Sequence, residues 1–398
     1  MEIFENVNIG TCTLNNRIIR SATFEGMCDE RGFPGDDYFR FYEELARQEI
    51  GGIITGFAFI SKNGKAMQPG QAGLDSNEKV PYFREMTDRV HQYDSKVFIQ
   101  LAHSGRQTLQ QFTGGQVMGC SSKRSSYFKE RPKKLNKQEI HKLAEQFGEA
   151  AFLAREAGFD GVQIHAAHGY LVHQFIISSV NNRKDEFGID KKERIGKKFL
   201  KLIIKSVRNR CGADFPLIFK ISGGDDYLNN FTKHQFVNLV SYLDKLGVDA
   251  IEVSYGTMDY ALNIFRGDFP AKLILDNNPF YKNKSDFMKK LNRTLYFPIY
   301  RNRLKSFEPM YNLEFAKLAK LHTAIPVITV GGFRSKKDIG HAILGSNIDF
   351  VSMSRPFLAE PDLVKKIRNN TEFQSKCCNC NYCSIMCDTD FQTKCYKN

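Results

Sequence analysis

The chain has 398 residues, of which 42% are hydrophobic and 25% are charged, and its net charge at neutral pH is +13. A chain of this length and apolar content buries a large core, and no apolar run is long enough for a transmembrane helix. Residues 1–6 have neither the basic region nor the apolar stretch of a secretory signal. We therefore expect a cytoplasmic protein with no membrane partner.

The positive charge suits an anionic partner such as a phosphorylated cofactor, a CoA thioester or a nucleic acid. Lysines are spread over 129–137, 192–205 and 282–305. They form no arginine-rich stripe and no aromatic platform of the kind that nucleic-acid binders present. We therefore expect a solvated basic surface and no nucleic-acid partner.

Short apolar strands alternate with longer amphipathic segments along the whole chain. Helical patterns cover, among others, 37–48, 137–157 and 196–210. The eight predicted strands lie near 17–21, 52–59, 96–102, 161–165, 217–222, 250–254, 326–330 and 349–353. This alternation is typical of an α/β protein and predicts a (β/α)8 TIM barrel. No G-x-G-x-x-G fingerprint follows any strand, which disfavours an open dinucleotide-binding sheet.

Two regions exceed the minimal barrel. The segment 259–309 is basic and rich in Asn, Phe and Tyr, and we interpret it as a lid inserted over the barrel mouth. The segment 371–398 is a short cysteine-rich tail. We therefore predict a barrel domain over 1–370, which includes the lid, and a separate tail over 371–398.

Polar side chains follow several predicted strands, where β/α barrels build their active sites. Strand three ends at Gln100, whose amide can donate and accept hydrogen bonds at once. Strand five carries Lys220, a cation in an otherwise apolar run, which needs an anionic partner to stay charged when buried. Both side chains suit the pyrimidine side of a flavin, although a glutamine at a strand end is more often a cap.

Imidazoles and a phenol leave the end of strand four together. The run His165-Ala-Ala-His168-Gly-Tyr170 is followed by Asn181-Asn-Arg183-Lys-Asp185. Two histidines three residues apart are often a structural pair on a loop, with their hydrogen bonds made to neighbouring groups. The flanking residues favour a reaction centre instead.

Strands seven and eight end in residues that suit a phosphate. Gly331 and Gly332 expose backbone amides, and Ser354-Arg355 follows strand eight with a charged fork. Barrels often bind phosphate at this place, although each half alone is common turn chemistry.

Six of the ten cysteines lie between Cys377 and Cys395. Their crowding is typical of a metal site, and not of a disulfide framework. The ligands that we predict are Cys377, Cys380, Cys383, Cys387 and Cys395. Iron–sulfur and zinc sites both accept four thiolates, so the spacing leaves both metals open.

The chain resembles the old yellow enzyme family of FMN-dependent β/α-barrel oxidoreductases, and its tail narrows the likeness to the barrel portion of 2,4-dienoyl-CoA reductase. The motifs that carry the resemblance are 16–23, 100–106, 165–188, 330–332 and 354–356. The resemblance implies FMN as cofactor, held by Ser21, Ala22, Thr23, Gln100, Lys220, Gly331, Gly332, Ser354 and Arg355. Lys220 stands where the family generally has arginine, which keeps the charge but loses the planar fork.

The resemblance also implies roles for the strand-four run and the tail. His165 and His168 would hold the oxygen of an activated alkene, such as an enone or enoyl thioester, and Tyr170 would donate the proton. Cys377, Cys380 and Cys395 align with the first, second and last ligands of a 4Fe-4S cluster, while Cys383 and Cys387 compete for the third place.

The source of electrons and the substrate stay open at this point. The larger reductase continues into further flavin and nicotinamide domains, so NADH or NADPH would dock directly here, or a separate electron-transfer protein would deliver electrons. Alternatives are a dehydrogenase of amines or ethers that passes electrons to the cluster, a tRNA-directed flavoprotein, and a non-catalytic barrel with a zinc-stapled tail. The oligomeric state is also open, a homo-oligomer included.

Overall fold

The computed structural model describes residues 2–397, and its centre is a closed barrel of eight parallel strands. The strands neighbour one another in chain order, and the eighth pairs with the first. They are Ile18–Arg20, Gly52–Phe59, Lys96–Ala102, Gly161–Ala166, Leu217–Ser222, Ala250–Ser254, Val327–Val330 and Phe350–Met353. The predicted (β/α)8 barrel is confirmed, and each observed strand lies within two residues of its predicted bounds.

Helices connect successive strands and cover the outside of the barrel. Those of the outer layer are Asp36–Arg47, Val80–His91, Lys137–Glu156, Lys198–Cys211, Lys233–Lys245, Leu313–Lys320, Lys336–Gly340 and Leu363–Asn369. Shorter helices lie at Gln110–Thr113, Leu171–Ile176 and Arg355–Ala359. Several starts are fixed by reciprocal side-chain and backbone hydrogen bonds, as between Asn136 and Glu139 and between Thr232 and Gln235. No helix in residues 2–397 is long and apolar enough to cross a membrane.

An antiparallel hairpin closes the bottom of the barrel. Its strands, Val7–Ile9 and Cys12–Leu14, pack Ile9 and Leu14 into one apolar cluster with side chains from the barrel interior. These interior residues are Ile19, Ile54, Phe98, Ile218, Ala250, Ile328 and Phe350. Because this lower layer is apolar and closed, polar chemistry is confined to the upper half of the barrel.

The predicted lid segment forms short helices over the barrel mouth. They are Ala261–Phe265, Ala271–Asn277, Asp286–Leu291, Asn292–Tyr296 and Phe297–Arg301. The segment has a small apolar core of its own, in which Leu275 and Phe297 pack beside Ile385 of the tail. The tail helix, Tyr382–Met386, therefore belongs to the same covering layer as the lid.

Asp259 fastens the start of the lid to the barrel. Its carboxylate is fully buried and pairs with Arg106 at 2.9 Å. It also accepts hydrogen bonds from Gln107, the Ser125 and Ser126 hydroxyls, the Ser126 amide and the Tyr227 hydroxyl. Burial alone would favour the neutral acid, but the Arg106 guanidinium and these donors lower the pKa of Asp259 to about 2.

Replacing the anchor, Asp259→Asn, leaves Arg106 buried without its counter-ion. We expect the free energy of unfolding at neutral pH to fall by about 3–5 kcal/mol. The unfolded carboxyl titrates near pH ~3.9 and the folded one near 2, so the stabilisation is complete above about pH 4 and is lost as the pH falls toward 2. Urea unfolding of both proteins from pH 7 to acid measures this, and a difference that does not shrink below pH ~4 would contradict the assignment.

Candidate active site

A cavity of about 380 Å³ opens at the carboxyl ends of the barrel strands. The lid covers it, and the tail forms part of its wall. Nearly all the predicted flavin and catalytic residues line it: Ala22, Thr23, Gln100, His165, His168, Tyr170, Lys220, Gly331, Gly332, Ser354 and Arg355. Ser21 is the exception, because its hydroxyl points to Glu252 below the cavity floor.

The floor of the cavity is a buried ion pair between Lys220 and Glu252. The Lys220 ammonium lies 3.1 Å from Glu252, which is fully buried. The carboxylate also accepts hydrogen bonds from Ser21 at 2.6 Å, Ser352 at 2.7 Å and Gln163 at 2.8 Å. Burial alone would raise the pKa of Glu252, but the Lys220 cation and these three donors hold it below its ordinary value.

Strand register explains why these side chains meet. Lys220 is the direct neighbour of His165 on one side and of Glu252 on the other. Neighbours in register on parallel strands point to the same face, so all three point into the barrel. Sequence analysis missed Glu252, although a charged residue in the apolar run Ala250–Ser254 carries the same signal that identified Lys220.

Gln100 is tied into the same floor. Its amide nitrogen donates to the Gln163 side-chain oxygen at 2.6 Å, and Gln163 donates in turn to Glu252. This chain of hydrogen bonds fixes the orientation of the Gln100 amide, so that its oxygen is the atom free to accept. A donor on a ligand's edge would find it already oriented.

The three predicted catalytic side chains form one cluster of rings. The His165 ring lies 5.0 Å from His168 and 4.6 Å from Tyr170, measured between ring centroids. Phe57 packs against Tyr170 at 5.5 Å. His168 adopts a left-handed backbone (φ 60°), and its Nε2 lies 2.8 Å from the Ser254 hydroxyl. This contact leaves Nδ1 as the ring atom available to a ligand.

All three rings are neutral at ordinary pH. Burial and the nearby Lys220 cation lower the pKa of His165 well below its usual value, and burial, His165 and Lys220 do the same for His168. Burial raises the pKa of Tyr170, which keeps the phenol protonated. Nδ1 of His165 is buried without a hydrogen-bond partner among the described residues. An unpartnered imidazole nitrogen at a cavity wall is a site for a ligand's polar atom.

The motif around Asn181 supports the loop instead of the chemistry. Arg183 donates to the backbone oxygens of Cys120 and Leu135 and pairs with Asp185 at 2.6 Å. Asn181 donates to two backbone oxygens of its own loop. None of the three lines the cavity, so they hold the segment after strand four in place.

The residues of the predicted phosphate seat all line the cavity, and Arg355 among them is already hydrogen-bonded to protein groups. Gly331 and Gly332 have φ of 118° and 85°, and a Cβ on Gly332 would lie 2.6 Å from backbone atoms of 308–310. Arg355 donates to the Asn381 side chain at 2.5 Å and to the backbone oxygens of Phe265 and Arg266. Its guanidinium therefore links the seat to the lid and the tail.

The lid and the tail supply cavity residues that the sequence analysis did not identify. Asp388 is half-buried and accepts hydrogen bonds from Gln68 at 2.7 Å and Asn278 at 3.1 Å, and Asn278 also donates to Tyr127. Burial raises the pKa of Asp388 to about 6. These four residues lie far apart in sequence, and no local pattern marks them.

The predicted metal ligands do not converge in residues 2–397. Nowhere in these described residues do three His, Cys, Asp or Glu side chains lie close enough together to hold a metal ion. Cys383 and Cys387 line the active-site cavity, whereas Cys377, Cys380 and Cys395 are not among its lining residues. The described arrangement does not fit a preformed four-thiolate site.

The barrel fold and its cavity agree with the comparison against known protein families. The chain belongs to the NADH:flavin oxidoreductase / NADH oxidase family, whose model matches residues 2–294 and 298–374. Membership supports FMN as cofactor and a reduced nicotinamide as electron donor.

Individual relatives are similar over most of this chain. It is 28% identical over 381 residues to an NADH oxidase of Thermoanaerobacter brockii and 29% identical over 378 residues to a cinnamate reductase of Clostridium sporogenes. These matches cover 95% and 92% of this chain but 52% of each relative. The chain thus spans about half the length of these curated relatives. A solved 2-naphthoyl-CoA reductase complex has the same fold, with a TM-score of 0.80 at 20% identity, over 100% of this chain and 56% of that one.

The cavity residues fit FMN. Gln100 and Lys220 offer an amide and a cation at one end of the cavity, which suit the pyrimidine edge of the flavin ring. The glycine pair and Arg355 lie at the ends of strands seven and eight, which suits a phosphate. The unpartnered Nδ1 of His165 and the aromatic face of Phe57 line the space between.

Because Lys220 and Glu252 form a buried ion pair, we expect their contributions to the free energy of unfolding to be coupled. Glu252→Gln should lower the free energy of unfolding by about 3–5 kcal/mol, because it leaves a buried cation without its counter-ion. Lys220→Met is the second single variant of the cycle. The double variant should lose at least about 1 kcal/mol less free energy of unfolding than the two single variants lose in total. Urea titration of the four proteins completes the cycle, and additivity within about 0.5 kcal/mol would rule out the coupling.

Proposed function

We propose that this protein is an FMN-dependent oxidoreductase that reduces electron-poor carbon–carbon double bonds, with NADH or NADPH as donor. The observation that carries the proposal is the cluster of two neutral imidazoles and one protonated phenol on the wall of a cavity that fits FMN. Bound FMN supplies the hydride. The similarity to a cinnamate reductase supports an alkene next to a carboxyl or carbonyl group as the substrate class.

His165 and His168 bind and polarise the substrate carbonyl. Each neutral ring can donate one N–H, and the fixed Ser254 contact orients His168. Negative charge grows on a carbonyl oxygen when its conjugated double bond is reduced. Two donors placed in advance stabilise that charge at no cost in reorganisation.

Tyr170 delivers the proton to the α-carbon. Its phenol stays protonated at neutral pH because burial raises its pKa. It is also held between His165 and Phe57 at ring distances of 4.6 and 5.5 Å. A positioned acid of this kind typically contributes about 10²- to 10⁴-fold to a rate.

The tail carries a separate proposal of a metal site, supported by its cysteine spacing. A 4Fe-4S cluster or a zinc ion would need Cys377, Cys380, Cys395 and one of Cys383 or Cys387 to gather from their described positions. No step of the alkene reduction is routed through such a group. A cluster would let a separate electron-transfer protein replace the nicotinamide as donor.

Tyr170→Phe tests the proposed proton donor. We expect reduction of the bound flavin by NAD(P)H to proceed at the normal rate, because that half-reaction needs no phenol. Reoxidation by an enone such as 2-cyclohexenone should slow by about 10²-fold or more. Stopped-flow absorbance of each half-reaction measures this.

His165→Ala serves as the companion variant, because it should retain flavin and weaken enone binding as well as turnover. If Tyr170→Phe leaves both half-reactions normal, another acid donates the proton. If the purified protein neither contains nor binds flavin, the proposed function itself is wrong.

Iron, acid-labile sulfide and zinc measured on protein purified without oxygen test the tail. Four iron and four sulfide per chain, with a broad absorbance near ~400 nm that dithionite bleaches, would support the cluster. One zinc per chain would support the zinc alternative. Flavin without either metal would contradict both.

A further inference from the structure

Half of the exposed large apolar side chains lie on one helix of the lid. We call residues 286–301 the lid helix; it comprises Asp286–Leu291, Asn292–Tyr296 and Phe297–Arg301 in succession. Of the twelve large apolar side chains exposed among residues 2–397, it carries six: Phe287, Met288, Leu291, Leu295, Tyr296 and Ile299. Phe287 is 74% exposed, Leu295 61% and Ile299 60%. Such a concentration marks an interaction surface, since scattered single residues would need no explanation.

The exposed side chains form a stripe. Phe287, Leu291, Leu295 and Ile299 recur at every fourth residue, so they lie along one side of the helix. The inward side is separately satisfied, because Phe297 is buried against Phe269 and Tyr281 at ring distances of 5.0 and 5.5 Å. The lid helix is therefore apolar on its outer side as well as on the inner side that packs against the rest of the lid.

Unpaired positive charge surrounds the stripe. Between 282 and 305 the chain has eight basic residues and one acidic residue, Asp286. Two of the basic residues, Lys289 and Lys305, approach a carboxylate within 4.0 Å. The other six are exposed and form no ion pair with any residue that the structure describes: Lys282, Lys284, Lys290, Arg293, Arg301 and Arg303.

We propose that the lid helix docks on an anionic lipid surface. A convex helix with an aliphatic and aromatic stripe flanked by Lys and Arg is the form that interfacial helices take. Anionic headgroups would supply the counter-charges that these basic residues lack. The helix is about 24 Å long, shorter than the ~30 Å hydrocarbon core, so it lies in the interface and does not cross it.

Charge argues against a second copy of this chain as the occupant. A symmetric contact through the stripe would bring the basic residues of one copy near the basic residues of the other. Like charges across an interface repel, and nothing acidic on the lid helix except Asp286 would offset them. The earlier expectation of no membrane partner followed from the lack of a spanning segment, which says nothing about surface binding.

Docking would place the lid side of the active-site cavity next to the lipid. Tyr296 and Phe297 of the lid helix, with Tyr300 one turn on, line the cavity from above. The outer side of the same helix would then contact acyl chains. Apolar substrates dissolved in the membrane would reach the cavity without first entering water.

Vesicle sedimentation of the full chain tests the proposal independently of flavin or turnover. We expect binding to vesicles with about 30% phosphatidylglycerol, much weaker binding to pure phosphatidylcholine, and weakening as salt rises from about 0.1 to 0.5 M. The triple variant Phe287→Ser, Leu295→Ser, Ile299→Ser should bind at least about tenfold more weakly. The matched control Leu321→Ser, Leu344→Ser removes exposed apolar side chains elsewhere, 79% and 59% exposed, and should bind as wild type.

The replaced side chains are exposed, so thermal unfolding of the triple variant should match wild type and confirm that it folds. No partition onto phosphatidylglycerol vesicles, or equal binding of wild type and the triple variant, overturns the proposal. Self-association that the triple variant abolishes, without vesicle binding, assigns the stripe to a second copy and overturns it as well. Analytical ultracentrifugation measures that last outcome.

Discussion

The active site depends on one buried ion pair, Lys220 with Glu252. Two charges inside the barrel are costly unless each is compensated, and here every acceptor position of the carboxylate is used. Satisfying Glu252 fixes Ser21 and Gln163, and Gln163 in turn fixes Gln100. The polar groups of the cavity floor are thus oriented by the need to compensate the buried charges of Lys220 and Glu252.

The same ion pair also lies next to the proposed catalytic histidines. Lys220 is the register neighbour of His165, and its positive charge helps to keep both imidazoles neutral. Neutral rings donate hydrogen bonds without attracting counter-ions, which suits an oxygen that becomes negative only during the reaction. Lys220 therefore pairs with Glu252 in the floor and adds to the effect of burial, which is the main reason that the pKa values of both histidines are lowered.

The barrel could be predicted because each strand is a short apolar run with a polar residue at its end. Residues at strand ends, such as Gln100, His165 and Arg355, were identified for the same reason. Glu252 carried an equal signal and was overlooked, whereas Asp388, Asn278 and Tyr127 carried none, since only the folded chain brings them together. The motif around Asn181 was interpreted in favour of a reaction centre because it is dense in polar residues. In the structure its side chains hold a loop in place instead.

Arg355 joins three parts of the molecule that the sequence presents as separate. It follows strand eight at the phosphate seat, yet its guanidinium bonds to the lid backbone at 265–266 and to Asn381 of the tail. A phosphate is a stronger partner for guanidinium than a neutral carbonyl or amide oxygen. Three of the five N–H donors of the Arg355 guanidinium make these bonds, so an anion in the seat would use the two that remain or displace one of the three. The predicted phosphate seat, the lid and the tail thus meet at Arg355.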